Sequence, residues 1–198
     1  MSDAESTDPV LTSVHAYTEH ADEYATVHAP KMHDRVEWFA RSLPAHALIL
    51  DAGCGPGRDL ARFAALGHVP IGVELNATFA AMACSLAPTW RADLRRLDVL
   101  FPSGIFDGVW ASASLVHLPE SEAAEVLRHF ATVLRPGGQL YACVNTVGET
   151  GWLDEPDGRR WYCIWEPDAF VDTVAAAGFR VLRVERGPFV EVWAAKPG

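Results

Sequence analysis

The segment Asp51-Ala52-Gly53-Cys54-Gly55-Pro56-Gly57-Arg58 combines residue types and spacing that suit ligand chemistry. Glycines at alternate positions remove the Cβ atoms that keep a ligand off the backbone. The segment follows the apolar run Ala47-Leu48-Ile49-Leu50 and precedes a helical pattern. Open α/β sheets bind ligands at such strand-to-helix turns. A tight turn that is glycine-rich for structural reasons alone looks the same. Two details separate the loop from a dinucleotide fingerprint. Arg58 occupies the slot of the third, close-packing glycine, and Asp51 puts a carboxylate before the loop, where it repels a pyrophosphate and attracts an ammonium group.

Two further acids extend the pattern. Glu74 ends the next predicted strand, 23 positions after Asp51, where a carboxylate accepts both hydroxyls of a ribose. Asp93 ends the third and suits a hydrogen bond from an exocyclic amine such as that of adenine. Each acid alone reads equally well as a helix N-cap or a solvated loop residue. Three at successive strand ends, beside a glycine loop, favour a site.

His117 lies in Ala111-Ser112-Ala113-Ser114-Leu115-Val116-His117-Leu118-Pro119, after the fourth predicted strand. An imidazole titrates near neutrality and is the candidate general base. The alternative is a histidine that orders its loop or bonds a cofactor. Tyr17 and Tyr24, seven apart, fall on one face of a predicted helix, either to pack it on the sheet or to face the site. The stretch 145–165 exceeds an ordinary connector, and such loops are usually functional. Its Trp152, Trp161, Tyr162 and Trp165 would wall an aromatic acceptor pocket, and Arg159 or Arg160 would pair with a carboxylate. Equally, the aromatics form a satellite core, and Pro156-Asp157-Gly158 is an ordinary turn flanked by solvated arginines.

These residues need a scaffold, and the apolar rhythm supplies one. Residues 1–12 read as a disordered tail and 13–198 as one domain. Val14, Tyr17, Ala21 and Tyr24 recur at helical spacing with Thr12 or Ser13 as N-cap, and Pro30 suits the first turn of a second helix that ends by Pro44. Residues 13–43 thus make an N-terminal helical cap. From residue 47 the predicted elements alternate: strand 47–50, helix 58–66, strand 69–73, helix 76–86, a weak strand 90–92, strand 106–111, helix 119–134, a break at Arg135-Pro136-Gly137-Gly138, and strand 139–144. An irregular insertion at 145–165 follows, then helix 166–177 and an antiparallel pair at 179–185 and 189–194. Alternation of this kind predicts an α/β, doubly wound sheet with right-handed crossovers.

The chain has 198 residues, 49% of them hydrophobic, and a formal charge of −10. One domain of this size buries a sufficient core without metal or disulfide. The negative balance argues against nucleic-acid partners, whose phosphates call for basic patches. No apolar run reaches the ~20 residues of a membrane-spanning helix, and the acidic, polar MSDAESTDPV is unlike a secretory signal. Cys54, Cys84, Cys143 and Cys163 form no CxxC pair, which predicts reduced thiols in a cytoplasmic protein and no metal site.

The motifs Ile49-Leu50-Asp51-Ala52-Gly53-Cys54-Gly55-Pro56-Gly57, Gly72-Val73-Glu74-Leu75, Asp93-Leu94, Phe106-Asp107-Gly108-Val109 and Leu134-Arg135-Pro136-Gly137-Gly138, in this order, closely resemble the motif set of class I S-adenosylmethionine-dependent methyltransferases. The resemblance covers roughly residues 13–195. It implies a Rossmann-like, seven-stranded sheet of order 3-2-1-4-5-7-6 with strand 7 antiparallel. It also implies that Gly53, Gly55 and Gly57 abut the methionine part of the cofactor, that Glu74 holds the ribose and Asp93 the adenine amine, and that Leu75 and Leu94 sandwich the ring. Ala111 and Ser112 open the segment that passes beneath the methyl group. In related enzymes a tyrosine on an N-terminal helix closes over the donor, which favours Tyr24 as a catalytic-site residue and leaves Tyr17 between acceptor contact and packing. The expected activity is methyl transfer to an oxygen or nitrogen of a small-molecule acceptor. An NAD-dependent oxidoreductase and a non-catalytic S-adenosylmethionine-binding module are the alternatives.

Overall fold

The computed structural model describes residues 8–28 and 32–198. Pro30, the expected start of a helix, lies outside the described residues. Helices Pro9–Ala16 (α1), Ala21–His28 (α2) and His33–Arg41 (α3) precede strand Leu48–Ala52 (β1). Then follow Arg58–Ala65 (α4), Val69–Glu74 (β2), Ala77–Cys84 (α5), Thr89–Arg91 (β3), a 3-10 turn at Leu94–Arg96, Leu97–Leu100 (α6) and Phe106–Ser112 (β4). Glu120–Val133 (α7), Leu134–Asn145 (β5), Gly151–Glu155 (β6), Gly158–Tyr162 (β7), Pro167–Ala176 (α8), Arg180–Arg186 (β8) and Phe189–Ala195 (β9) complete the order.

Seven strands form one sheet, β3-β2-β1-β4-β5-β9-β8, in which β9 runs antiparallel to both neighbours. With the hairpin β6–β7 set aside, this is the order 3-2-1-4-5-7-6 implied by the motif resemblance. The central strands are buried on both faces, as parallel strands covered by crossover helices must be: Phe106 to Ala111 are all buried. On one face α7 and α8 pack Leu127, Phe130 and Phe170 against Leu50, Val109 and Leu140. On the other, Phe39 of α3 and Phe63 of α4 meet Trp110, whose indole stacks on Tyr141 at 4.0 Å.

Four local expectations are corrected. Residues 8–12 are not tail: the Asp8 carboxylate accepts from Val10 N at 2.9 Å and caps α1, with Pro9 in its first turn. A helix N-terminus leaves amide donors that such a side chain satisfies. Thr12 and Ser13 therefore sit inside α1. The single helix expected to carry Tyr17 and Tyr24 is two, since the chain turns at 17–20 and Tyr17 becomes the C-cap of α1. Arg135-Pro136-Gly137-Gly138 is a bulge within β5, because Leu134 already pairs with Phe106 before Gln139 pairs with Gly108. The insertion at 145–165 is not irregular: β6 and β7 pair antiparallel around Pro156-Asp157, with Trp152 opposite Trp161.

Candidate active site

At the carboxyl ends of β1, β2 and β4 lies a cleft. Gly53 and Gly55 form its floor, Glu74, Leu75, Asp93 and Leu94 one wall, Ser112, Ala113, Ser114 and His117 another, and Val10, Val14 and Tyr17 of the α1 region its cover. Tyr24 of α2 and Phe79 of α5 close the remaining side.

The glycine loop is shaped by its neighbours. Gly53 N and Cys54 N both donate to Val73 O, at 2.8 and 3.1 Å, which pins the loop to β2. Gly53 has φ +73°, and a Cβ there would stand 2.4 Å from the Ser114 Cβ. Only glycine permits both that conformation and that approach. Gly57 has φ +95° and faces Ala83 of α5 and Leu86 just beyond that helix, so it serves packing and lies off the cleft. On the opposite wall Ala113 holds φ +55°, rare for a residue with a Cβ, while its amide donates to Cys143 Sγ. Strain of this kind collects at functional sites. The neighbouring Ser114 Oγ is buried, lines the cleft and has no hydrogen-bond partner among the described residues.

Two of the three acids reach the cleft. Glu74 accepts Gly55 N on Oε2 at 2.9 Å and Asn76 N on Oε1 at 2.7 Å, and burial raises its pKa against those two bonds. Each carboxylate oxygen retains a lone pair for a ligand hydroxyl. Asp93 caps the 3-10 turn and is gripped by Arg95, whose Nη2 lies 2.7 Å from Oδ2. The same guanidinium reaches Asp8 at 2.8 Å and Glu122 at 3.0 Å, which fastens the start of α1 to this wall. Asp51 is 2% exposed behind the loop and does not line the cleft. Ala111 is likewise enclosed in the core.

His117 joins two segments. Its Nδ1 is 2.6 Å from the Trp161 carbonyl and its Nε2 is 3.0 Å from the Tyr17 hydroxyl. A carbonyl only accepts, so Nδ1 carries the proton and Nε2 accepts from the phenol. Burial, with the Arg160 charge assisting and the Trp161 bond opposing, lowers the imidazole pKa to about 4. His117 is therefore neutral at physiological pH. Tyr17 is held in turn by a ring cluster with Tyr24 at 5.2 Å and Phe79 at 5.8 Å, and by the Arg160 guanidinium 4.1 Å from its ring centre.

The acceptor residues expected in the insertion separate by strand alternation, since successive side chains on β7 point to opposite faces. Arg160 and Tyr162 stand behind Tyr17 and His117. Arg160 is buried and paired with Glu155 and Asp157, and the Tyr162 hydroxyl donates to Glu155 at 2.8 Å. Trp161 contributes its backbone, receiving His117 on O and donating N to Ser13 Oγ at 2.8 Å. Arg159 and Trp152 are exposed and stack on each other at 5.0 Å. None of these five lines the cleft, and Arg160 already has its two carboxylates within the hairpin. Asn76 and Phe79 were not anticipated. Asn76 Nδ2 donates to Val14 O at 2.8 Å and Thr18 Oγ1 at 3.1 Å, linking the strand end of Glu74 to the cover. An Asx residue before a helical run signals only its N-cap.

The donor set fits S-adenosylmethionine. Two wall carboxylates match ribose and adenine donors, the glycine floor leaves open space at Gly55, and the buried Asp51 Oδ2 lacks any partner among the described residues. An electropositive ligand satisfies such a site, whereas a diphosphate would meet the Glu74 and Asp93 carboxylates. Among the described residues no group of three or more His, Cys, Asp and Glu could hold a metal ion, the four cysteines are unpaired, and no helix is long and apolar enough to cross a membrane.

Residues 49–138 match the family described as a methyltransferase domain. The chain is 30% identical over 149 residues to an O-methyltransferase of Penicillium expansum, covering 69% of this chain and 53% of that protein. It is 34% identical over 131 residues to a 27-O-demethylrifamycin SV methyltransferase of Amycolatopsis mediterranei, covering 60% and 46%. The matched segment thus spans about half the length of these relatives. In fold it resembles a Burkholderia thailandensis 1,6-didemethyltoxoflavin-N1-methyltransferase, solved with 1,6-didemethyltoxoflavin and S-adenosylhomocysteine bound, with TM-score 0.75 at 24% identity over 100% of this chain and 94% of that one. By motif order and sheet topology, and over residues 49–138 by the methyltransferase-domain match, the chain is similar to S-adenosylmethionine-dependent methyltransferases.

Proposed function

We propose that this protein transfers a methyl group from S-adenosylmethionine to an oxygen of a small-molecule acceptor. The observation that carries the reading is the single cleft shared by the glycine loop, Glu74 and Asp93 on one side and the Tyr17–His117 pair on the other. The bound donor supplies a methyl group activated by a sulfonium. Glu74 and Asp93 orient the nucleoside, Gly53 and Gly55 let the amino-acid part approach the backbone, and Leu75 and Leu94 flank the base. Val10, Val14 and Tyr17 exclude water, which competes as a nucleophile. Holding nucleophile and methyl in line supplies several kcal/mol without any charged base.

His117 acts in this reading by holding Tyr17 rather than as a strong base. Its Nε2 is engaged by the phenol, and its low pKa makes it a weak proton acceptor. An oxygen nucleophile gains acidity as the methyl bond forms, so a neutral imidazole suffices to receive the proton late. Oxygen is preferred because the matched relatives include proteins named as O-methyltransferases. The test is incubation with S-adenosylmethionine and a panel of phenols, enols and alcohols, read by release of S-adenosylhomocysteine, with binding of both sulfur ligands and of NADH measured in parallel. Saturable NADH binding without response to either sulfur ligand overturns the proposal.

A further inference from the structure

Arg160 of β7 is 3% exposed, while its strand neighbour Arg159 faces solvent. Guanidinium groups are buried only when paired, and Nη1 and Nη2 of Arg160 meet the carboxylates of Glu155 and Asp157. Those two side chains are 29% and 33% exposed, so the ion pairs alone could form nearer the surface. Nε, moreover, is buried without a hydrogen-bond partner among the described residues. That is a cost which ion pairing does not explain. What Arg160 gains at this depth is Tyr17: the guanidinium carbon lies 4.1 Å from the ring centre, the stacking contact for which its planar cation is suited.

Tyr17 needs such a hold. It is the C-cap of α1, where the chain turns at 17–20, so no further helical turn fixes its backbone. A swing of the ring about its Cα–Cβ bond would carry the hydroxyl away from His117 Nε2, now 3.0 Å distant. The same strand holds the other half of the pair. The Trp161 carbonyl accepts from His117 Nδ1 at 2.6 Å, the Tyr162 ring lies 4.7 Å from the imidazole, and Cys163 N donates to Val116 O at 2.8 Å. The hairpin thus grips His117 largely through backbone and Tyr17 through one side chain.

We propose that Arg160 is a positioning residue for methyl transfer: its cation stacked on Tyr17 fixes the ring, and with it the Tyr17–His117 bond beside the acceptor, without touching donor or acceptor. The inference rests on the methyl-transfer reading above.

Replacing Arg160 alone strands two carboxylates, so loss of activity would not separate a hold on Tyr17 from damage to the hairpin. The triple variant Arg160→Gln, Glu155→Gln, Asp157→Asn removes the three charges together and keeps polar groups in their places. Nitrogen NMR of the full chain, labelled in its histidine rings and loaded with S-adenosylhomocysteine, reads the Tyr17 bond at His117 Nε2. The expected result is that this signal moves in the triple variant as it does in Tyr17→Phe. Single-turnover methylation of the fastest phenol of the panel should slow by about 10- to 100-fold, with far less change in S-adenosylhomocysteine affinity. Added to Tyr17→Phe, the triple change should cost little more, since it acts through that hydroxyl. Arg160→Lys keeps a charge for Glu155 and Asp157 but loses the planar face, and should show the same shift and loss in smaller measure. An unmoved Nε2 signal or unchanged rate in the folded triple variant, wild-type behaviour of Arg160→Lys, or a full further loss on top of Tyr17→Phe overturns the proposal. Failure of both sulfur ligands to bind, or of every panel member to accept a methyl group, is a different result, because it removes the methyl-transfer reading itself.

Discussion

The hydroxyl of Tyr17 lies 3.0 Å from Nε2 of His117, across 100 residues of sequence. The bond joins the cover of the cleft to the loop after β4, and its sense is set by the Trp161 carbonyl on the other ring nitrogen. If this pair positions the acceptor, Tyr17→Phe and His117→Ala should each lower kcat by about 10- to 100-fold. The double variant should lose little more than either single one, since the two side chains act as a unit. Steady-state kinetics of the three variants checks this. Additive losses would mean separate roles.

The buried, neutral state of His117 has a consequence for stability. Its folded pKa, about 4, lies below the ordinary histidine value of 6.5. Between the two the unfolded chain binds a proton that the folded chain refuses, so stability rises with pH through this window and falls as pH drops. The slope from this residue approaches about 1.4 kcal/mol per pH unit. Denaturant titrations at intervals from about pH 4 to about pH 7 should show it, and His117→Asn should remove it.

Glu74→Gln tests the ribose contact proposed for Glu74 with little change of shape. It keeps an acceptor oxygen for one of the two amides and loses the charge. S-Adenosylhomocysteine affinity should fall about tenfold, a loss of about 1.4 kcal/mol, as read by calorimetry. Unchanged affinity would place the nucleoside elsewhere.

Gly53→Ala should both destabilise the protein by at least about 1 kcal/mol and weaken cofactor binding, because the new methyl meets Ser114 and the backbone is left-handed there. Phe39→Ala is the contrasting case. It opens a cavity far from the cleft and should cost about 3–5 kcal/mol while leaving the cofactor affinity of the folded fraction unchanged. Denaturation and ligand titration of both variants separate the two effects.

Much of this architecture was legible from residue order. Continuous apolar strands, the Asp51–Gly57 turn, and acids at the ends of successive strands specify a doubly wound sheet and its binding edge, since these features depend on neighbours close in sequence and on a common crossover hand. Glu74 and Asp93 stand out by their places at strand ends, whereas Leu75 and Leu94 were implied by the motif resemblance alone; all four line the cleft. The remainder depended on contacts between distant segments. Spacing places Tyr17 and Tyr24 on one helix, yet a break at 17–20 puts them on two, and only packing returns the rings to 5.2 Å. Arg159 and Arg160 are neighbours of one type, but strand alternation exposes the first and buries the second behind Tyr17. Periodicity reports which faces are apolar; which partner covers a face, and which side chain is left without one, is decided where the chain meets itself.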